Sequence, residues 1–289
     1  MALYCLGSIN VDFTYRVDRL PGPGETVIAT TASRGLGGKG ANQSIAASRA
    51  GARVYHIGRV GPEGEWCISS MHNLGVDISH VSVSRKPTGH ANICVDETGE
   101  NQITVLPGAN LDQDLKSISR ALEKGGANDW LLLQNETSHQ VDAAKLARSK
   151  GMRVAYSAAP FEVESVKEIL DLITLLILNE GEALQFEQYF QGSPAVDLIV
   201  TKGINGAELR RNGHTTNVPA FGVNAEDTTG AGDTFAGFLL AGLENGQFYE
   251  SALNRAMAAA ALQVTRRGSA EAIPSAKEVD TFMLNLKRQ

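Results

Sequence analysis

Asp227-Thr228-Thr229-Gly230-Ala231-Gly232-Asp233 runs directly into the apolar stretch Thr234–Leu243. Small residues before an apolar helix leave its first N–H groups free to converge on an anion. A carboxylate at that N-terminus, Asp233, is placed to take a proton from a hydroxyl held beside a phosphate. The simpler alternative is a Gly-rich turn with Asp233 as an ordinary N-cap. A cap needs one such residue, and this string carries acids and glycines beyond that need.

Around this segment strands alternate with helices. The apolar run Ala2–Ile9 reads as a buried strand, followed by candidates at Arg53–Ile57, Trp130–Gln134, Arg153–Ser157, Leu172–Leu178, Asp197–Thr201 and Glu208–Arg211. Helical patterns fall at Ala41–Ala50, Glu63–Leu74, Gln113–Glu123, Gln140–Ser149, Glu180–Tyr189, Ala231–Leu243, Glu250–Arg266 and Ala276–Lys287. Such alternation predicts an α/β fold with a mostly parallel sheet between helices. Val11–Val17 instead alternates apolar with polar residues, as a half-exposed strand does. Thr26–Thr31, Ala91–Val95 and Ile103–Val105 extend the same small sheet, with a turn at Asp96–Glu100. We therefore expect one domain over residues 1–289, with a small β lid drawn from about 11–33 and 90–106. The stretch between Tyr189 and Asp197 is too short for a complete helix-turn-strand unit.

Gly37-Gly38-Lys39-Gly40-Ala41-Asn42 opens another helix. Gly35, Gly37 and Gly40 satisfy GxGxxG, but a dinucleotide site needs an acid at the end of the next strand. That strand ends Val54-Tyr55-His56-Ile57-Gly58 without one, which disfavours a nicotinamide-dependent dehydrogenase. Lys39 is followed by Gly40 and not by Ser or Thr, so this is no P-loop either. Backbone, Lys39 and Asn42 in close approach to a polyhydroxylated ligand fit better. Asn10 and Asp12 lie two apart after the first strand and point to one side of an extended chain, an arrangement suited to vicinal hydroxyls. Glu136 follows Trp130–Gln134, at a strand end where α/β folds bind ligands.

Composition sets further bounds. A formal net charge of −6 without a basic run argues against a nucleic-acid surface. Cys5, Cys67 and Cys94 form no CxxC pair, as expected of free thiols in a reducing, cytoplasmic compartment. The histidines are scattered, without zinc-ligand spacing. MALYCLGSIN lacks a basic n-region and is expected to be a first strand, not a signal peptide. No apolar stretch is long enough to cross a bilayer.

Together GSINVD, PGETV, GGKGANQS, TGENQI, GAN, NEGE, DTTGAGD and VTRRGS give the chain a resemblance over its whole length. It resembles the ribokinase-like (PfkB-type) carbohydrate kinases, and within them the ribokinase branch. The resemblance implies a central sheet sandwiched by helices and a β lid that closes over the sugar and forms a homodimer contact. It implies ATP and Mg²⁺, with K⁺ as a further cation, and transfer to a primary hydroxyl of a pentose such as ribose. Fructose, deoxyribose, a keto-deoxy sugar acid or a nucleoside are alternative substrates, and a silent sugar-binding regulator is the alternative outside catalysis. By matching positions, Asp233 is the catalytic base and Gly230, Ala231 and Gly232 form the anion hole. Asn10, Asp12, Gly38, Lys39, Asn42 and Glu136 match sugar-binding positions. Asn179 and Glu182 match the motif that organises Mg²⁺ and phosphate, and Thr201, Lys202, Gly203 and Gly206 match the nucleotide loop. Asp227 and Thr229 match monovalent-cation ligands, with Gln263, Arg266 and Gly268 supplying backbone oxygens. Two departures stand out: Met257 replaces a histidine near the adenine, and Ala272 replaces a serine of the cation shell.

Overall fold

The structure, a computed structural model, describes residues 1–190 and 196–286. In chain order the strands are β1 (Leu3–Leu6), β2 (Asn10–Arg16), β3 (Thr31–Gly37), β4 (Val54–Val60), β5 (Asp77–Val83), β6 (Gly89–Val95) and β7 (Asn101–Leu106). They continue as β8 (Trp130–Gln134), β9 (Arg153–Ser157), β10 (Leu175–Asn179), β11 (Asp197–Thr201), β12 (Ala207–Arg211) and β13 (His214–Val218). The α-helices are α1 (Lys39–Arg49), α2 (Glu65–Asn73), α3 (Leu115–Ala121), α4 (Gln140–Ser149), α5 (Val163–Ile169), α6 (Glu180–Tyr189), α7 (Ala231–Glu244), α8 (Tyr249–Gln263) and α9 (Ala276–Leu286).

A nine-stranded sheet in the order β13-β12-β11-β10-β9-β8-β1-β4-β5 forms the centre. It is parallel from β5 through β11, and β12 and β13 close it as an antiparallel edge. Its central strands are apolar at nearly every position because helices cover both faces. Successive side chains sort to opposite sides. Leu3, Cys5, Leu132 and Ile177 pack with α1, α7 and α8, whereas Tyr4, Leu6, Leu131 and Leu176 pack with α3 to α6. The order reverses between β1 and β8, so their carboxyl ends open the crevice where such sheets bind ligands. The segments leaving there are Gly7–Asn10 and Asn135–Glu136.

A second, four-stranded sheet, β3-β2-β6-β7, stands over this crevice as the expected lid. Strand β3 differs from expectation. Residues 25–30 are not a strand; β3 instead runs from Thr31 to Gly37, pairing with β2 from Arg16↔Thr31 to Asn10↔Gly37. Ile28, the apolar residue that suggested a strand, is 88% exposed. Three elements escaped the pattern reading. A register shift opposite Tyr55 and Ile57 breaks the alternation of β5; β13 is a polar edge strand; and α5 is one short amphipathic segment. The gap after Tyr189 and the helix end at Lys287 fall outside the described residues.

His56 on β4 buttresses the turn after β1. Its Nδ1 accepts from Ser44 Oγ at 2.8 Å and its Nε2 donates to the Gly7 carbonyl at 3.2 Å, which uses both nitrogens of a neutral ring. Burial lowers its pKa to about 4, with only the Gly7 bond opposing. The unfolded chain, with an ordinary histidine near 6.5, takes up a proton first as pH falls. The stabilisation by neutral His56 is therefore complete above about 6.5 and declines toward 4. At pH 5 the loss is about 2 kcal/mol, from roughly 1.4 kcal/mol per pH unit. Denaturant unfolding between pH 7 and 5 should register this slope, and His56→Gln should flatten it. An unchanged slope in that variant would remove His56 from the account.

Candidate active site

The Gly37–Gly40 segment meets the end of β1 at the crevice because their backbones approach there more closely than any side chain permits. A Cβ on Gly40 would lie 2.4 Å from Gly7 Cα, and one on Gly38, at φ +94°, would lie 2.7 Å from the Ser8 carbonyl. α1 therefore starts against the end of β1. Its first amides bond to that strand's exit: Gly40 N–H donates to Ser8 Oγ at 3.2 Å and Ala41 N–H to the Ser8 carbonyl at 2.9 Å. α1 also packs tightly on α7, since a Cβ on Gly237 would lie 2.5 Å from Ala46 Cβ. That contact carries Asn42 and Gln43 to the start of α7.

Asp233 sits in the first turn of α7, after Gly230 in the left-handed conformation at φ 74°. Asn42 Nδ2 donates to Asp233 Oδ2 at 3.1 Å and Gln43 Nε2 to Oδ1 at 2.9 Å. Gln43 is held in turn by Gln134 Nε2, which donates to its Oε1 at 2.8 Å. No side chain caps α7, and of its first amides Ala231 N–H reaches the Thr228 carbonyl at 3.3 Å. The helix thus presents N–H groups to the crevice, the partial positive end of its dipole.

Charge gathers at the same point. Burial raises the Asp233 pKa, against Lys39 and the two amides. Burial also raises Glu136, whose Oε2 accepts from Ser8 Oγ and, at 3.4 Å, from the Lys39 amide. Asp12 is pushed up to about 6, by burial first and then by Glu136. For Lys39, burial works downward, but Asp233, Glu136, Glu182 and Asp12 together outweigh it and its pKa is raised. Four carboxyl groups around one ammonium make a site rich in acceptors, well matched to a ligand with several hydroxyl donors.

Of the expected residues, Asn10, Asp12, Gly38, Lys39, Asn42, Glu136 and Asp233 come together here. Gly37 runs directly beneath the Asp12 carboxyl, where a Cβ would lie 2.0 Å from its Oδ2. The GxGxxG reading fails structurally as well, because Gly35 and Gly37 belong to a lid strand. Asn110, which closes the GAN motif but carries no role in the sequence reading, joins the site: its Oδ1 accepts from Ile9 N–H at 3.0 Å and its Nδ2 donates to Asn10 Oδ1 at 2.7 Å. Gln43, Gln134 and Ser8 are likewise new to the site. Gln43 lies one residue after Asn42, but nothing local marks it as a partner of a carboxylate nearly two hundred residues away.

The other expected residues flank this point, Gly230, Ala231 and Gly232 directly before Asp233 and Glu182 close enough to raise the Lys39 pKa. Asn179 and Glu182 form a reciprocal capping box on α6, Glu182 N–H to Asn179 Oδ1 at 2.9 Å and Asn179 N–H to Glu182 Oε2 at 2.8 Å. Thr201 Oγ1 bonds to the Leu178 carbonyl and Lys202 Nζ pairs with buried Glu208, so both side chains turn back into the sheet. Gly206, at φ +88°, lets the β12 turn pass the Val218 carbonyl. Gly203 and Met257 line a cavity of about 350 Å³ with Phe221, Val223, Ala260 and Val264, at whose edge Thr228 and Ala231 lead to the start of α7. Asp227 accepts from Thr229 N–H at 2.9 Å and Gly268 N–H at 3.0 Å. Burial opposes its ionisation, but these bonds prevail and its pKa is lowered. The Gln263 side chain lies with the Thr229 and Gly268 carbonyls, and the Arg266 N–H donates to the Gln263 carbonyl at 3.1 Å. Among the described residues no cluster of three or more His, Cys, Asp or Glu side chains forms a metal site, and no helix is long and apolar enough to cross a membrane.

A crevice at the sheet's switch point, an uncapped helix start with a carboxylate in its first turn, and a covering β sheet define a phosphotransferase of the sugar-kinase type. The chain belongs to the pfkB family carbohydrate kinases, whose family model matches residues 2–276. It is 33% identical to a ribokinase of Haemophilus influenzae, over 97% of this chain and 98% of the relative. The fold is similar to that of a Thermotoga maritima ribokinase, with a TM-score of 0.87 and 30% identity over 99% and 100% of the two chains. It is also similar to an Arabidopsis thaliana ribokinase solved in complex with ribose and ATP, with a TM-score of 0.83 and 28% identity over 98% and 99% of the chains.

Proposed function

We propose that the chain transfers the γ-phosphoryl group of ATP to the primary hydroxyl of ribose, giving ribose 5-phosphate. The observation that carries this reading is Asp233, held by Asn42 and Gln43 at the open start of α7. Asp233 accepts the proton of the attacking hydroxyl. The Gly230, Ala231 and Gly232 amides stabilise charge growing on the transferring oxygens, and Lys39 adds a positive charge beside them. Asn10, Asp12, Lys39, Asn42 and Glu136 hold the sugar hydroxyls, with Asn110 fixing Asn10. The apolar cavity beside α7 takes the adenine, where the Met257 thioether packs on the base.

Glu182 uses Oε2 in the capping box, and its remaining carboxylate oxygen fits a hydrated Mg²⁺ carried on the nucleotide. When bound, Mg²⁺ neutralises phosphate charge. The lid excludes water from the reaction as it closes. The chain works as one catalytic domain in the cytoplasm; its free thiols suit a reducing compartment. Ile103 and Val105 expose an apolar stripe on lid strand β7, and a homodimer formed through the lid covers it.

A coupled assay of ADP release over pentoses, hexoses and nucleosides tests the reading. Ribose should give the highest kcat/KM, with the phosphate at C5 of the product by ³¹P NMR. ADP release that no sugar accelerates would reject the kinase reading. Preference for a nucleoside or hexose would keep the mechanism and replace the substrate.

A further inference from the structure

Gln263, the last residue of α8, is fully buried, and its side-chain nitrogen lies among main-chain oxygens. Nε2 is 3.1 Å from the Thr229 carbonyl, 3.2 Å from that of Gly268 and 3.1 Å from that of Ser269. Its Oε1 is buried with no hydrogen-bond partner. The orientation is forced, because the flipped amide would set a fourth acceptor oxygen against three others. An unpaired buried oxygen is costly, and the amide tolerates it in order to place N–H groups at the carbonyls.

The carbonyls belong to two loops that frame the start of α7. Thr229 precedes the Gly230 cap of that helix, and Gly268–Ser269 follows α8. Asp227 joins the same loops through the amides of Thr229 and Gly268, and Ser269 Oγ donates to the Leu36 carbonyl at the base of the lid at 3.1 Å. Carbonyl oxygens beside a carboxylate attract a positive charge, and the family resemblance implies a monovalent cation here. The residues do not fit one. The two Gln263 N–H groups are already shared among the three carbonyls, each Asp227 oxygen already accepts from a backbone amide, and Ala272 brings no hydroxyl.

We propose that the Gln263 side-chain amide replaces the monovalent cation as the internal positive pole that fixes the loop before α7, so that turnover does not depend on K⁺. Gln263 is a positioning residue in this scheme. It touches no reacting atom and acts by holding the amides of Gly230–Gly232 and Asp233 in line. The proposal rests on the kinase reading, and its test separates the two.

Turnover and thermal unfolding of the full chain are measured in KCl and in choline chloride at equal ionic strength. The wild type should differ by less than about 1.5-fold in kcat between the salts, with an unchanged Tm. Gln263→Ala should lose on the order of 10-fold in kcat in choline, with the ribose KM little changed, and K⁺ should restore part of both kcat and Tm. Gln263→Met, of similar length without a donor, guards against loss of packing alone. A folded Met variant with reduced kcat supports the amide's role if the Ala variant fails to fold, whereas a folded Ala variant that K⁺ does not rescue would overturn it. Severalfold activation of the wild type by K⁺, or full activity of either variant in choline, would overturn the proposal. Absence of turnover in every salt would reject the kinase reading instead, leaving the Tm comparison to decide the role of Gln263.

Discussion

Asp233→Asn is expected to lower kcat by roughly 10²–10⁴, the usual scale for loss of a general base, while the folded state and ribose binding persist. The surrounding hydrogen bonds explain the persistence. Gln43 donates to one carboxylate oxygen and is locked in that orientation, because Gln134 donates to its own oxygen. Asn42 donates to the other oxygen, and its Oδ1 is buried without a partner. An asparagine at 233 keeps the contact with Gln43 through its oxygen. Asn42 then turns over to accept from the new NH₂ group, which gives its Oδ1 a donor. Steady-state kinetics should show the loss almost wholly in kcat, with Tm within a degree or two of the wild type. Turnover near the wild-type rate would remove Asp233 from the chemistry. A folded variant that no longer binds ribose would make Asp233 a binding group first.

Gly40→Ala is expected to destabilise the chain by about 3 kcal/mol, at the upper end for overpacking, and to raise the ribose KM. Helix propensity alone points the other way, favouring alanine by ~1 kcal/mol in a helix. Packing decides the sign. The added Cβ would meet Gly7 Cα at 2.4 Å and Ser8 N at 2.5 Å, and both are backbone atoms that no rotamer change can clear. α1 must then part from the end of β1, which moves Lys39 and Asn42 away from Asn10 and Glu136. Chemical denaturation gives the stability change and initial-rate kinetics the KM. Unaltered stability together with an unaltered KM would mean that this contact does not set the distance between the two halves of the sugar site.

The α/β class was legible because its signals are local. Runs such as Trp130–Gln134 and Leu175–Leu178 are apolar throughout, which a strand covered on both faces requires. Elements whose pattern is disturbed were not: β5 carries a register shift, and β13 lies polar at an open edge. Strand β3 departs from the sequence expectation for a related reason. Ile28 sits in a run that looks like a strand, yet pairing partners choose a strand, and β2 selects Thr31–Gly37. In the site, the residues within the two glycine segments were readable from their chemistry. Gln43, Gln134 and Asn110 were not, because each matters only through a partner far away in the chain.

Sequence by itself determined the periodicities, the glycines that permit close backbone approach and the acid at the head of an apolar helix, since these depend on neighbours within a few residues. Tertiary structure alone decided which groups meet Asp233, that Lys39 is shared among four carboxylates, and that an amide from the end of α8 stands among the carbonyls before α7. Those are matters of distance in space. Distance here is set by how closely α1 packs on β1 and α7, which no stretch of the chain encodes alone.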